Sequence, residues 1–127
     1  MRALVIGNTD DLDPGFVGHR LRQRGYRFTE GQREHPQDWP GLDGVDLVLT
    51  LGSEWNVYEP ATAAPVAAEA AFVREVVRRD VPLLAICFGA QVLSHALGGT
   101  VSPTPTPEIG WYDLAVDGAP IAAGPWM

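Results

Sequence analysis

The sequence has no lysine; all nine of its basic residues are arginine. It has a single cysteine, Cys87, so no disulfide can form within the chain. It has no apolar run near the ~18 residues that a membrane-spanning helix requires. It has no G-x-G-x-x-G fingerprint and no Walker lysine, so neither common nucleotide loop is present. Basic charge is scarce overall: the formal net charge is −7, which argues against nucleic acid and anionic membrane as partners. No Cys/His group has metal-ligand spacing, and nothing calls for a cofactor. The amino-terminal apolar stretch covers only about four residues before Asp10, Asp11 and Asp13, so it reads as a first strand rather than a signal peptide. Together with the lone cysteine, this leads us to expect a cytoplasmic location.

What is present is a globular composition. Apolar residues make up 46% of 127 residues, enough for one domain with a buried core. Strand-like and helix-like segments alternate. Residues 2–6 read as a buried strand. Residues 15–24 read as a helix, begun by Asp13-Pro14 and stopped by Gly25. A short strand is expected at 26–29, a polar loop at 30–44, and a strand at 46–51 that is apolar enough to be buried on both faces. Residues 64–79 form an amphipathic helix. Val66, Ala70, Val73 and Val77 are expected inside, and Glu69, Glu75, Arg78 and Arg79 in water. A buried strand at 82–86, a helix at 88–97 closed by Gly98-Gly99, and a last strand at 111–116 complete the pattern. The expected fold is α/β, a doubly wound and mostly parallel sheet.

The segment Pro82-Leu83-Leu84-Ala85-Ile86-Cys87-Phe88-Gly89-Ala90-Gln91 carries the chemistry. An apolar strand runs straight into a helix with no loop between them, and Cys87 stands at the joint. Small residues on either side, Ala85 and Gly89, allow strand and helix to approach. This is the pattern of a nucleophile elbow, with cysteine in place of serine, and it requires a strained backbone at the joint. The site falls at the carboxyl end of a strand, where α/β proteins bind ligands. A helix amino terminus favours thiolate over thiol. The Phe88 N–H points to where a tetrahedral oxyanion would form. Taken alone, an apolar-flanked cysteine is more often buried and inert; the joint tips the reading to function.

Other features have plainer readings. Asn8-Thr9-Asp10-Asp11 is read as an ordinary loop. Its acidic residues lack EF-hand spacing. Trp55 and Tyr58 either line a pocket or pack their loop onto the sheet. Trp39 and Trp126 are read as packing residues, and His19 and His35 as surface residues. His95 lies eight residues beyond Cys87, about 12 Å along a helix axis, too far to serve it as a base.

The block Ile86-Cys87-Phe88-Gly89-Ala90-Gln91, with Leu93, Ala96-Leu97-Gly98-Gly99 and Val101, resembles the nucleophile block of class I glutamine amidotransferases, in particular stand-alone GMP synthase-like members. Residues 51–59, beginning Leu51-Gly52-Ser53, are similar to the family's "LGGP-x-x-VYD" loop. Glu108-Ile109-Gly110-Trp111 resembles its "E-I-G-W" stretch. The resemblance covers essentially the whole chain as a single partial domain, residues 1–127, with a flavodoxin-like fold.

The resemblance implies roles. Cys87 would attack the side-chain amide of glutamine and form a glutamyl thioester. The N–H groups of Ser53 and Phe88 would form the oxyanion hole. Gly52, Gln91, Gly110 and Trp111 would contact the substrate. Ammonia would pass to a synthetase partner or a small-molecule acceptor. Two departures stand out: Ser53 replaces a glycine and Glu54 a proline. The family's catalytic histidine and glutamate lie downstream of the stretch ending at Met127. The chain is therefore expected to be C-terminally truncated, to lack its general base, and to be inactive alone. An exposed sheet edge would then favour a homo-oligomer. A DJ-1/PfpI-like cysteine hydrolase or redox-responsive protein is the alternative, disfavoured by Phe88 after the cysteine, where that family usually has histidine. A folded module without turnover is another.

Overall fold

The computed structural model describes residues 1–106, 110–113 and 125–126. In chain order the elements are β1 (Arg2–Gly7), α1 (Gly15–Gln23), β2 (Arg27–Gln32), β3 (Leu47–Thr50), α2 (Ala63–Arg78), β4 (Leu83–Ala85), α3 (Phe88–Ala96), β5 (Tyr112–Asp113) and β6 (Pro125–Trp126). Single 3-10 turns at Pro36–Asp38 and Pro60–Thr62 precede β3 and α2.

β1 to β4 form one sheet in the order β2-β1-β3-β4, and every pairing in it is parallel. Parallel neighbours need crossover connections, and helices supply them. This is the start of a flavodoxin-like order, in which the strand order reverses between β1 and β3. Ala3 to Ile6 are fully buried because β1 is central and covered on both faces. Alternate residues face opposite layers. Leu4, Ile6 and Val48 pack under Val76 of α2 together with Leu42, Val45, Trp39 and Phe72. Val5 and Leu49 point the other way, against Val17 and Leu21 of α1. Helices α2 and α3 pack on each other through Val66, Ala70, Val73, Phe88, Val92 and Ala96.

Several expectations need correction. β2 runs on to Gln32, into the stretch read as a loop. Among the described residues the expected strand at 82–86 ends the sheet, and Leu84 is 42% exposed. Leu84 pairs in register with Leu49, whose neighbours form the α1-side cluster, and Leu84 is not among the residues packed there. The buried stripe of α2 is Val66, Glu69, Ala70, Val73 and Val76. Val77, expected inside, is 44% exposed, and Glu69, expected in water, is fully buried. Of the last expected strand, Tyr112–Asp113 is seen, pairing antiparallel with Pro125–Trp126, while residues 114–116 lie outside the described residues.

Helix starts and stops follow local chemistry. Asp13 Oδ1 accepts from the Gly15 N–H at 3.0 Å at the head of α1. Gly25 takes φ +85 past its end, a conformation that favours glycine. Trp39 is a packing residue: its ring meets Phe72 edge-on at 5.2 Å, and its Nε1 donates to Gln32 O at 2.6 Å. The Trp126 side chain lies outside the described residues.

Candidate active site

β4 delivers the chain to the site. The Ile86 N–H bonds Thr50 O at 2.9 Å, which keeps the strand paired up to the joint. Cys87 then turns with φ +53 and ψ −110, and α3 begins at Phe88. A non-glycine residue at such angles carries strain of about 1–3 kcal/mol, tolerated where the surroundings over-determine it. Here the surroundings are the strand behind and the helix ahead, where the Ala90 and Gln91 N–H groups bond Cys87 O at 2.9 and 3.1 Å. The helix can start this close to β3 because of Gly89. A Cβ there would lie 2.6 Å from the Thr50 carbonyl oxygen, inside contact distance. Phe88 is the first helical residue, so its N–H has no acceptor within the helix. The Cys87 thiol is free and exposed.

The loop after β3 comes alongside. A Cβ on Gly52 would stand 3.4 Å from Cys87 Cβ and 3.8 Å from its Sγ, so the Gly52 backbone lies against the cysteine side chain. Ser53 follows. Among the described residues only Asp80 and Cys87 are non-glycine residues with positive φ, so Ser53 occupies ordinary backbone space and its Cβ is no obstacle there. Ser53 Oγ accepts from the Trp55 N–H at 3.1 Å and tightens the turn.

Gln91, one helical turn into α3, reaches the same loop. Its Oε1 accepts from the Val57 N–H at 3.3 Å, and its Nε2 donates to Asn56 Oδ1 at 3.4 Å. The side chain thus ties α3 to the loop that borders the cysteine. Trp55 packs edge-on against Phe88 at 6.3 Å, so it holds that loop to the core, whereas Tyr58 is 44% exposed. Gly110 is half-buried and Trp111 is 72% exposed, while Glu108 and Ile109 lie outside the described residues. His19, His35 and His95 are all exposed.

Sequence reasoning missed the polar centre beneath this loop. Arg33, just past β2, is fully buried. Its Nε donates to Glu69 Oε2 at 2.6 Å and its Nη2 to Glu69 Oε1 at 3.3 Å. Nη1 donates to Asn8 Oδ1 at 2.6 Å and to Gly52 O at 3.4 Å, and Nη2 also reaches Leu51 O at 3.1 Å. The guanidinium lies 4.7 Å from the centre of the Phe88 ring. Asn8 in turn donates to Glu34 Oε1 at 2.8 Å, and Glu34 Oε2 accepts from the Thr9 N–H and hydroxyl. Partial burial raises the Glu34 carboxyl; the bonds from the Thr9 hydroxyl, its own N–H, Asn8 and the Thr9 N–H outweigh that and leave it below the ordinary value. Burial pushes the Glu69 carboxyl above its ordinary value, against the pull of the Arg33 hydrogen bonds and charge. One signal for Glu69 was available: it falls at i+3 from Val66, on the apolar stripe. Arg33 offered none, because its partners lie 18 to 36 residues away.

A cavity of about 320 Å³ opens beside this centre, lined by Asn8, Asp10, Asp11, Ser53 and Glu54. It sits at the carboxyl ends of β1 and β3, where the strand order reverses. Its acidic wall repels anions, and Cys87 does not line it. Among the described residues no group of three His, Cys, Asp or Glu side chains is placed to hold a metal ion, and no helix is long and apolar enough to cross a membrane.

A parallel sheet in this order, with a cysteine at a strained strand–helix joint, defines a flavodoxin-like α/β domain built around an elbow. Comparison with known proteins is specific. Residues 45–107 match the Peptidase C26 family model. The chain is 36% identical over 117 residues to the glutamine-hydrolyzing GMP synthase of Porphyromonas gingivalis, covering 91% of this chain and 21% of that protein. It is 32% identical over 110 residues to the corresponding enzyme of Corynebacterium efficiens, covering 86% of this chain and 20% of that one. The crystal structure of a glutamine amidotransferase from Thermotoga maritima superposes with a TM-score of 0.75 at 27% identity, covering 91% of this chain and 52% of that one. The chain belongs to the class I glutamine amidotransferase family and is GMP synthase-like. It spans about a fifth of these curated relatives and about half of the solved one.

Proposed function

We propose that Cys87 is the nucleophile of a glutamine amidotransferase reaction. The observation that carries this is the elbow itself: an exposed cysteine at φ +53 on a helix amino terminus, with the Gly52 backbone against its side chain. In the reaction the thiolate attacks the side-chain amide carbon of glutamine. The carbonyl oxygen takes negative charge and is met by the N–H groups of Ser53 and Phe88. The C–N bond then breaks and ammonia leaves with an added proton, giving a glutamyl thioester. Water hydrolyses the thioester to glutamate and frees the thiol. Gly52, Gln91, Gly110 and Trp111 surround the amino-acid end of the substrate. Ammonia passes to a synthetase partner or a small-molecule acceptor, in keeping with the GMP synthases that the chain resembles.

The proton steps need a base and an acid near Sγ. The three histidines of residues 1–127 are exposed, His19 on α1, His35 beside a 3-10 turn and His95 near the far end of α3, and none is hydrogen-bonded to a carboxylate among the described residues. The reading is that the histidine and its glutamate partner come from outside residues 1–127, and that these residues alone form a nucleophile without turnover. The setting is cytoplasmic.

The test measures ammonia release from glutamine and, separately, alkylation of Cys87 by a glutamine-analogue chloroketone. Residues 1–127 are expected to be labelled, to be protected by glutamine, and to release no ammonia catalytically. Sustained ammonia release would refute the absence of a base. Labelling that glutamine does not slow would refute the substrate.

A further inference from the structure

Arg33 is charged and fully buried, so it does not face a substrate, yet it contacts both parts of the chain that flank Cys87. Two of its hydrogen bonds go to the carbonyls of Leu51 and Gly52, and its guanidinium lies over the Phe88 ring. Every described peptide bond is trans. In a trans peptide the C=O and the following N–H point in opposite directions. A donor that fixes Gly52 O from below therefore fixes the Ser53 N–H facing away from it. A cationic donor on the carbonyl also polarises the peptide and strengthens its N–H as a donor. The Gly52 backbone lies against Cys87, so the direction of that N–H is set within reach of the thiol.

We propose that Arg33 is a positioning residue for the reaction of Cys87. From beneath the loop it holds the Leu51 and Gly52 carbonyls and the Phe88 ring, so that the Ser53 and Phe88 N–H groups converge on the substrate oxyanion. The inference rests on the glutamine reading above and adds to it the residue that organises the oxyanion hole. The Glu69 carboxylate and Asn8 amide fix the guanidinium in turn, the first through two oxygens. Only a planar fork with five donors can reach a carboxylate, an amide and two carbonyls at once. A lysine at this position has three donors on one nitrogen and keeps the ion pair at the expense of the carbonyls. This explains why a charge is buried here at all: an apolar pair would fill the space but would not orient a peptide.

The test needs a reaction that forms the oxyanion but requires no acid for the leaving group. L-Glutamate γ-(4-nitrophenyl) ester meets both conditions. Cys87 Sγ bonds to the γ-carbonyl carbon, the ester C–O bond breaks, 4-nitrophenolate departs with the electron pair, and the thiol proton goes to solvent. One equivalent of 4-nitrophenolate per chain appears as a burst over the spontaneous rate. Iodoacetamide is the control, because it alkylates at a tetrahedral carbon and forms no oxyanion. The variant is the double exchange Arg33→Met with Glu69→Leu, which removes both charges and keeps the volume filled. It is expected to fold, since apolar replacements of buried ion pairs are commonly tolerated.

We expect its iodoacetamide rate within about twofold of the wild type, its half-saturating ester concentration unchanged, and its burst rate constant about 10- to 100-fold lower, the order of a weakened oxyanion donor. A role in folding alone would leave the burst rate intact once the double variant is folded, and a wild-type burst rate overturns the proposal. Should the double variant not fold, Arg33→Lys provides the same readout, with the same lowered burst expected and a wild-type burst again overturning it. If the wild-type chain itself gives no burst that glutamine suppresses, the glutamine reading fails, and the role of Arg33 falls with it.

Discussion

Arg33 and Glu69 form an ion pair with both side chains fully excluded from solvent, Nε to Oε2 at 2.6 Å. They join the end of β2 to the middle of α2 beneath the loop that borders Cys87. Taking two charges out of water is costly, and attraction repays it only with good geometry and further hydrogen bonds. Asn8, Leu51 and Gly52 supply those bonds. Removing one partner leaves the other charge buried and unpaired. Arg33→Ala and Glu69→Ala are each expected to cost about 3–5 kcal/mol in urea denaturation. Arg33→Met with Glu69→Leu should recover most of that loss. A double variant as unstable as the singles would show that the polar pairing itself, rather than filled space, holds this region.

The same pair marks the boundary of what the sequence discloses. The elbow is legible because its determinants are local: an apolar strand, a cysteine, a helix and the glycine that lets them meet all fall within about ten residues. The parallel order also follows from alternating strands and helices. The polar centre is not legible in this way. A single arginine beyond β2 looks like any solvated loop residue, and only the fold brings Asn8, Leu51, Gly52 and Glu69 to it. The charge of Glu69 points to water, while its spacing points to the core. On α2 the spacing Val66, Glu69, Ala70, Val73, Val76 was the better guide to burial, and it leaves Val77 outside. Leu84 misled for a third reason, since its exposure depends on which strand ends the sheet and not on its neighbours in sequence.

Gly89 is the steric key of the elbow. Any side chain there meets the Thr50 backbone, with a Cβ 2.6 Å from the carbonyl oxygen. That oxygen belongs to the β3 backbone and cannot turn aside as a side-chain end could, so α3 has to shift. Gly89→Ala is expected to destabilise by about 1–3 kcal/mol, although alanine is the better helix former. The shift should also move Cys87 relative to Gly52. Loss of ester acylation with iodoacetamide alkylation retained is the expected pair of results. Full acylation in a stable Gly89→Ala chain would show that the joint tolerates more slack than its packing implies.

Glu75 carries a pH dependence that has nothing to do with the site. Hydrogen bonds from Arg78 and Arg79 lower its carboxyl from 4.5 to about 2. The folded value lies below the unfolded one, so the unfolded chain binds the proton more readily. The contribution to stability is therefore complete above the unfolded value and disappears as pH falls towards about 2. All three side chains are partly or largely open to water, so salt screens the cluster. Glu75→Gln should be slightly less stable than wild type near neutral pH. That gap in urea midpoint should close as pH falls below about 4, and it should shrink in high salt at any pH. A gap independent of pH would mean that the charge of Glu75 is not what the helix uses.

The strain at Cys87 yields the most direct test that the joint is built for chemistry rather than for stability. A cysteine at φ +53 and ψ −110 is held against its preference by β4 on one side and α3 on the other. Glycine adopts these angles without a Cβ clash, though it gives up more backbone freedom on folding, about 0.5–1 kcal/mol. The strain released is about 1–3 kcal/mol. The side chain lost is exposed, so little burial is forfeited. Cys87→Gly is therefore expected to unfold at higher urea, by about 1 kcal/mol, while losing all acylation and alkylation. Cys87→Ala keeps the Cβ and the strain, so it should lose the chemistry without gaining stability. If glycine is no more stable than alanine, the backbone at Cys87 is at ease, and the physical argument for a functional elbow loses its main support. If glycine alone stabilises the chain, the fold sustains at Cys87 a conformation that costs it stability, as a joint built for chemistry would.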